Sequence, residues 1–163
     1  MKKTSILNKL RSSGLRPTKQ RVEIAKFLFN RDKTFHFTVE SLGKHLAKKT
    51  TTKFALATIY NTVHAFKKAG HLSEVHLRGK NNTTYFDTNI SNHHHFYDSD
   101  TSELIDINDN EIKFDKIPKA PNGKTIKNLE VIINLKNWQF VAWTYFRTII
   151  NCKYIGENNE CRI

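Results

Sequence analysis

Apolar positions recur at helical spacing through the first seventy or so residues and then give way to alternation. A short helix is predicted over 4–13, where Gly14 can take the left-handed conformation that ends a helix. Thr18, just after Pro17, is placed to cap a helix running through Asn30, with Val22, Ala25 and Phe29 on one stripe. Thr38 is a second N-cap, ahead of Val39, Leu42 and Leu46, and His36 falls in the loop before it. The polar run 48–53 connects to another amphipathic helix from about Leu56 to Ala69. Its Ile59, Val63 and Phe66 face inward, and Gly70 stops it.

From Leu72 the period falls to two. Leu72, Glu74 and His76 oppose Ser73, Val75 and Leu77, and Tyr85-Phe86 lies beyond the turn Gly79-Lys80-Asn81-Asn82, which predicts a β-hairpin. Helices, a recognition-type helix and a hairpin in that order describe a winged helix-turn-helix. Past a boundary at 88–92, short strands are expected at 93–97, 103–107 and 128–135, while Pro118, Pro121 and Gly123 exclude a long helix between the last two. The expected fold is therefore α+β. It comprises an N-terminal winged helix-turn-helix domain over 1–88, a small, strand-containing α/β domain over 93–136, and a segment over 137–163 with no assigned role. That last segment carries Trp138, Phe140, Val141, Trp143, Tyr145 and Phe146, too apolar a set for a free tail.

Charge adds a partner to this picture. The net charge is +12, but residues 1–80 hold 18 Lys/Arg against 4 Asp/Glu, and residues 81–163 hold 9 against 11. The basic character thus belongs to the helical half alone, which points to a polyanionic partner such as nucleic acid. With 38% hydrophobic residues and eleven Phe, the chain has the material for packed cores. Cys152 and Cys161 form no Cys-x-x-Cys pair, so zinc-ribbon and thioredoxin-like chemistry is excluded, and two cysteines are too few for a secreted disulfide scaffold. The first residues lack the apolar core of a signal peptide, and Trp138–Ile150 is too short to span a bilayer, so a cytoplasmic protein without a membrane segment is expected.

Four motifs carry a resemblance: Leu15-Arg16-Pro17-Thr18-Lys19-Gln20-Arg21, Ala55-Leu56-Ala57-Thr58-Ile59-Tyr60-Asn61-Thr62-Val63, Tyr85-Phe86-Asp87-Thr88 and His93-His94-His95. In this order and spacing they resemble the ferric uptake regulator (Fur) family over roughly residues 8–136. Within it the chain looks most like the iron-response regulator (Irr) branch, which shares the triple histidine and lacks the zinc-binding cysteine pairs. The resemblance implies a homodimeric, winged-helix repressor or activator of metal-responsive bacterial genes, bound to a palindromic operator in double-stranded DNA.

The residue types suit that role. Ala57, Thr58, Tyr60 and Asn61, near the start of the recognition-type helix, are short or polar enough to approach base edges, and the threonine methyl and tyrosine ring can meet thymine methyls. Arg16, Lys19, Gln20 and Arg21 suit phosphates, and Arg78 and Lys80 at the wing tip can reach the backbone or minor groove.

His93 and His95, two apart on a strand, project from one face, with His94 on the other. The resemblance assigns His36, Asp87, His93, His95 and Asp106 as the regulatory ligands of iron- or manganese-sensing members. Such a nitrogen/oxygen set suits Fe²⁺ or Mn²⁺, with Zn²⁺ also accommodated. The Irr likeness adds haem, with His93 and His95 as candidate iron ligands, since no Cys-Pro dipeptide is present. The alternative within the same fold is a peroxide sensor, in which Fe²⁺ at this site oxidises one of its histidines. A structural Cys₄ zinc is not expected, because Asp98 and Thr101 stand where relatives place the first cysteine pair. His94 is the candidate for a second metal site, but Asn128 stands where a further histidine would complete it, and the dimer is expected to rely on Val131, Ile133 and Leu135. A metal-dependent hydrolase is disfavoured: no general base stands beside the His/Asp cluster, and the basic half would go unexplained, so the chain is not expected to be an enzyme.

Overall fold

The computed structural model describes residues 3–77 and 83–136, with side chains from Ile6 onward. The chain divides into two compact units, Met1–Ser91 and Asn92–Ile163.

In the first unit, helix α1 (Lys3–Ser12) ends at Gly14, whose φ of +74° is the left-handed conformation that glycine adopts without strain. Helix α2 (Lys19–Phe29) begins at the Thr18 cap, whose side chain accepts from the Arg21 amide. Helix α3 (Val39–Lys49) opens with a reciprocal capping box. The Thr38 hydroxyl accepts from the Ser41 amide at 3.1 Å, and the Ser41 hydroxyl accepts from the Thr38 amide at 2.9 Å. Two otherwise orphaned amides are satisfied this way, so Thr38→Ala is expected to cost about 1 kcal/mol. Equilibrium denaturant unfolding would check this through a lower midpoint at an unchanged slope.

Helix α4 (Leu56–Lys68) packs against α3, where a Cβ at Gly43 would come within 3.4 Å of Ile59 Cδ1. Ile24, Leu28, Leu42, Leu46, Val63 and Phe66 are essentially inaccessible and lie in one core with Ile6 and Leu10 of α1. The predicted α2 stripe is broader than expected. Ile24 and Leu28 are buried beside Val22 and Ala25, while Phe29 is half-buried against Phe66. The turn after α4 is tied to the end of α1, since His71 Nε2 lies 2.8 Å from the Ser13 hydroxyl. Burial and then the nearby Lys9 ammonium hold the His71 pKa below its usual value.

The wing is an antiparallel pair, β2 (Ser73–His76) and β3 (Thr84–Asp87), with Glu74 opposite Phe86 and Val75 opposite Tyr85. The predicted turn at 79–82 lies outside the described residues. A third strand, β1 (His36–Phe37), pairs antiparallel with β3, giving the order β1-β3-β2. The loop expected around His36 is thus corrected to a strand. Two residues carry no readable period, and only pairing with β3, some fifty residues later, makes them one. Phe37 stacks on Phe86 across this pair at 5.9 Å.

The second unit is a sheet of order β5-β4-β6. Strand β4 (His94–Asp98) runs antiparallel to β5 (Glu103–Ile107) and parallel to β6 (Ile132–Leu135). The parallel pair requires a long crossover. Residues 108–131 supply it with a single 3₁₀ turn at Asp109–Glu111 and no α-helix, as Pro118, Pro121 and Gly123 demand. The strand expected at 93–97 is shifted by one residue and the one expected at 128–135 is shorter, because His93 and residues 128–131 precede the paired registers. Leu104 and Ile107 are the buried apolar side chains among the described residues of this unit, while Ile105, Ile126, Leu129 and Ile133 are exposed.

The architecture is a winged-helix unit followed by a small β-sheet unit. No described helix is long and apolar enough to cross a membrane.

Candidate nucleic-acid face and metal ligands

Helix α4 turns its buried stripe, Ile59, Thr62, Val63 and Phe66, into the core, which leaves the opposite stripe outward. Ala57, Tyr60 and Asn61 lie there, exposed, and Thr58 is half-buried with its amide bonded to the Ala55 carbonyl at 2.9 Å. Tyr60 is 52% exposed, so it is not a core aromatic. Its ring rests on His64 at 4.1 Å, and His64 stands edge-on to Phe86 of the wing. Arg16 and Lys19 are exposed, and Gln20 and Arg21 are half-buried. Arg21 is partly occupied, as its guanidinium donates to the Arg16 carbonyl at 2.7 Å and so fastens the turn into α2. Arg78 and Lys80 lie outside the described residues.

Two sets of side chains that could ligate a metal form, one within each unit. In the first, β1 and β3 place His36 directly opposite Asp87, with His36 Nε2 at 3.4 Å from Asp87 Oδ2. Both side chains are buried, and the second Asp87 oxygen accepts from the Asn89 amide at 2.9 Å, which orients the carboxylate. In the second unit, β4 and β5 place His95 opposite Asp106. His93 Nε2 lies 3.5 Å, and His95 Nε2 3.8 Å, from the same Asp106 Oδ1, and the two imidazole centroids are 4.5 Å apart.

The donor chemistry and spacing fit a small divalent ion. Imidazole nitrogen and carboxylate oxygen are borderline-to-hard donors suited to first-row metals. With metal–ligand bonds near 2.1 Å, neighbouring ligand atoms stand about 3.0–3.4 Å apart. The observed separations approach that spacing and exceed an ordinary charge-assisted hydrogen bond.

His94 is otherwise engaged. Its Nδ1 accepts from the Val131 amide at 3.3 Å, its Nε2 lies 3.6 Å from Asp109, and its ring meets Phe114 edge-on. Among the described residues no second group of three or more ligating side chains is drawn together around it. At the place of the missing cysteine pair, Asp98 Oδ1 accepts from the amides of Asp100 and Thr101, and these bonds hold its carboxyl below the usual range. A hydrogen-bonded turn closes the β4–β5 connection there. Sequence reasoning missed Glu130, whose Oε1 lies 3.2 Å from His95 Nδ1. Nothing local marked it, because only the register of β6 brings it to β4.

The profile of the ferric uptake regulator family matches residues 12–134. The chain belongs to this family. Its members are DNA-binding transcriptional regulators rather than enzymes. Among curated proteins, the peroxide-responsive repressor PerR of Staphylococcus epidermidis is 31% identical over 98 residues, 60% of this chain. The chain spans 62% of that relative's length. The same fold occurs in the ferric uptake regulator of Pseudomonas aeruginosa, solved with manganese, at a TM-score of 0.58 and 22% identity, covering 85% of this chain and 99% of that one. It occurs also in the Vibrio cholerae ferric uptake regulator, at a TM-score of 0.61 and 20% identity, covering 80% and 98%. Family membership makes the chain a winged-helix DNA-binding regulator, and its His/Asp side chains are compatible with a divalent metal.

Proposed function

We propose that this chain is a cytoplasmic, homodimeric, sequence-specific regulator that reads a palindromic operator through α4 under the control of one divalent cation. The cation is Fe²⁺ or Mn²⁺, with Zn²⁺ also suited to the donors. The observation that carries this reading is the convergence of His93 and His95 on one Asp106 oxygen, next to the family match. The buried His36–Asp87 pair of the winged-helix unit offers a further imidazole and carboxylate of the same donor chemistry. An ion held by His93, His95 and Asp106 would supply the positive charge that draws two imidazoles to one carboxylate within the β-sheet unit. Residues 1–88 bind DNA and residues 93–136 dimerise and sense.

In the DNA complex Ala57, Thr58, Tyr60 and Asn61 face base edges. Arg16, Lys19, Gln20 and Arg21 hold phosphates, and Arg78 and Lys80 serve the wing. The dimer is supported by the small buried apolar content among the described residues of the second unit and by exposed Ile133 and Leu135 on β6, which among those residues pairs with β4 alone. Two copies present two recognition helices to half-sites one helical turn, or a multiple of it, apart.

The deciding experiment selects an operator from random duplex DNA. Binding is then measured with the metal-free protein, with Mn²⁺, with Fe²⁺ and with haem, the last because the Irr likeness offers His93 and His95 as iron ligands. The expected result is a change in operator affinity with Mn²⁺ or Fe²⁺. A response to haem alone transfers the signal to haem, and equal affinity in all four states removes the sensing function while leaving DNA binding intact.

The likeness to a peroxide-responsive repressor favours one further reading, in which peroxide beside bound Fe²⁺ oxidises a ligand histidine. Mass spectrometry after peroxide treatment of the Fe²⁺-loaded protein would show His36, His93 or His95 heavier by one oxygen. Unmodified histidines with unimpaired operator binding would sink this reading.

A further inference from the structure

His95 is bracketed by carboxylates at both ring nitrogens. Nε2 faces Asp106, the oxygen it shares with His93, while Nδ1 lies 3.2 Å from Glu130 Oε1 on the other side of the ring. The imidazole is buried, with 2% of its side chain exposed, whereas Glu130 retains 30%. A monodentate imidazole presents one nitrogen to an ion, and the cluster of candidate ligands lies on the Nε2 side. Nδ1 is therefore the nitrogen left to direct the ring.

The position of Glu130 is set by the backbone on either side of the contact. The His95 amide donates to the Val131 carbonyl at 3.0 Å, and the Val131 amide donates to His94 Nδ1 at 3.3 Å. His95 then pairs with Ile132 at the start of the parallel β4–β6 register. Residues 130–132 are thus stitched to 94–95 by their own hydrogen bonds, and the carboxylate next to them is delivered to the ring.

We propose that Glu130 is a positioning residue for the metal site: it accepts the Nδ1 proton of His95, holds the ring in that tautomer, and keeps the Nε2 lone pair aimed at the ion. This inference rests on the reading of His93, His95 and Asp106 as metal ligands. A carboxylate behind a ligating imidazole orients the ring and raises its basicity, and loss of such a partner typically lowers metal affinity 10–100-fold.

The test combines two measurements on the full chain. In the metal-free protein, ¹⁵N NMR of the imidazoles reports the His95 tautomer; Mn²⁺ affinity is then followed by electron paramagnetic resonance. Wild type is expected to show a single Nδ1–H tautomer. Glu130→Ala should mix the tautomers and weaken Mn²⁺ binding by about 10–100-fold. Glu130→Gln, whose amide oxygen still accepts, should keep the tautomer and stay within a few-fold of wild type. A wild-type Nε2–H tautomer, or Glu130→Ala binding Mn²⁺ as wild type does, would overturn the proposal while leaving the metal site standing. Equal losses in the Gln and Ala variants would make Glu130 a ligand instead, and also overturn it. A wild-type protein that takes up no Mn²⁺ or Fe²⁺ would remove the metal reading itself, and Glu130's role with it.

Discussion

His93→Ala is expected to weaken Mn²⁺ binding by about a hundredfold or more, which corresponds to roughly 2.7 kcal/mol or more. His93 and His95 converge on Asp106 through the β4–β5 register. Removing the His93 imidazole deletes one coordinate bond and leaves Asp106 with His95 alone. Isothermal titration of metal-free protein with Mn²⁺ gives the affinities, and far-ultraviolet circular dichroism checks that the β4–β5 pairing, which is a backbone bond, survives. If His93→Ala binds Mn²⁺ as wild type does, the site does not lie on this strand pair. The operator assay should follow, with the variant indifferent to Mn²⁺.

The second large effect concerns Tyr60. Removing its ring is expected to lower operator affinity about 10–100-fold, since a good base contact is worth about 1–3 kcal/mol, while binding to random duplex stays nearly unchanged. Half of this residue is open to solvent and its ring lies against the His64 ring, so unfolding free energy should move by no more than about 0.5 kcal/mol. That separation of affinity from stability distinguishes a base reader from a core aromatic. Lys19→Ala is the matching control. It is exposed and lies where a phosphate contact is expected, so it should weaken specific and random duplex alike and reduce the salt slope by about one. Arg21 is a poorer probe, because its guanidinium also fastens the Arg16 carbonyl and its loss would disturb the turn into α2. Normal operator binding by Tyr60→Ala in an electrophoretic shift assay would refute the placement of α4 in the groove.

Legibility differed between the helices and the site for one physical reason. Thr18 and Thr38 cap α2 and α3 within a four-residue span, and glycine ends α1 with its own left-handed backbone, so those boundaries are local chemistry. The stripes of α3 and α4 were equally open to inspection, because a helix repeats its buried face every few residues. His93 and His95 share a side by strand alternation, and their common partner Asp106 could be placed on the neighbouring strand. The β1 strand could not be seen, since two residues have no period, and β6 proved shorter than its apolar run because only four of its residues find a register on β4. Glu130 stood in a polar stretch with nothing to single it out.

By itself the sequence determined the helical order, the caps, the basic half, and a histidine-rich patch of metal-ligand character, all of which depend on neighbours along the chain. Only the tertiary structure decided that His36 lies across a strand pair from Asp87, that His94 is engaged by Val131, Asp109 and Phe114, and that Glu130 backs His95. Those contacts join residues fifteen or more positions apart, and for the strand pairs one step of slippage would turn every side chain to the other face. Register is a property of two segments together, and neither segment contains it alone.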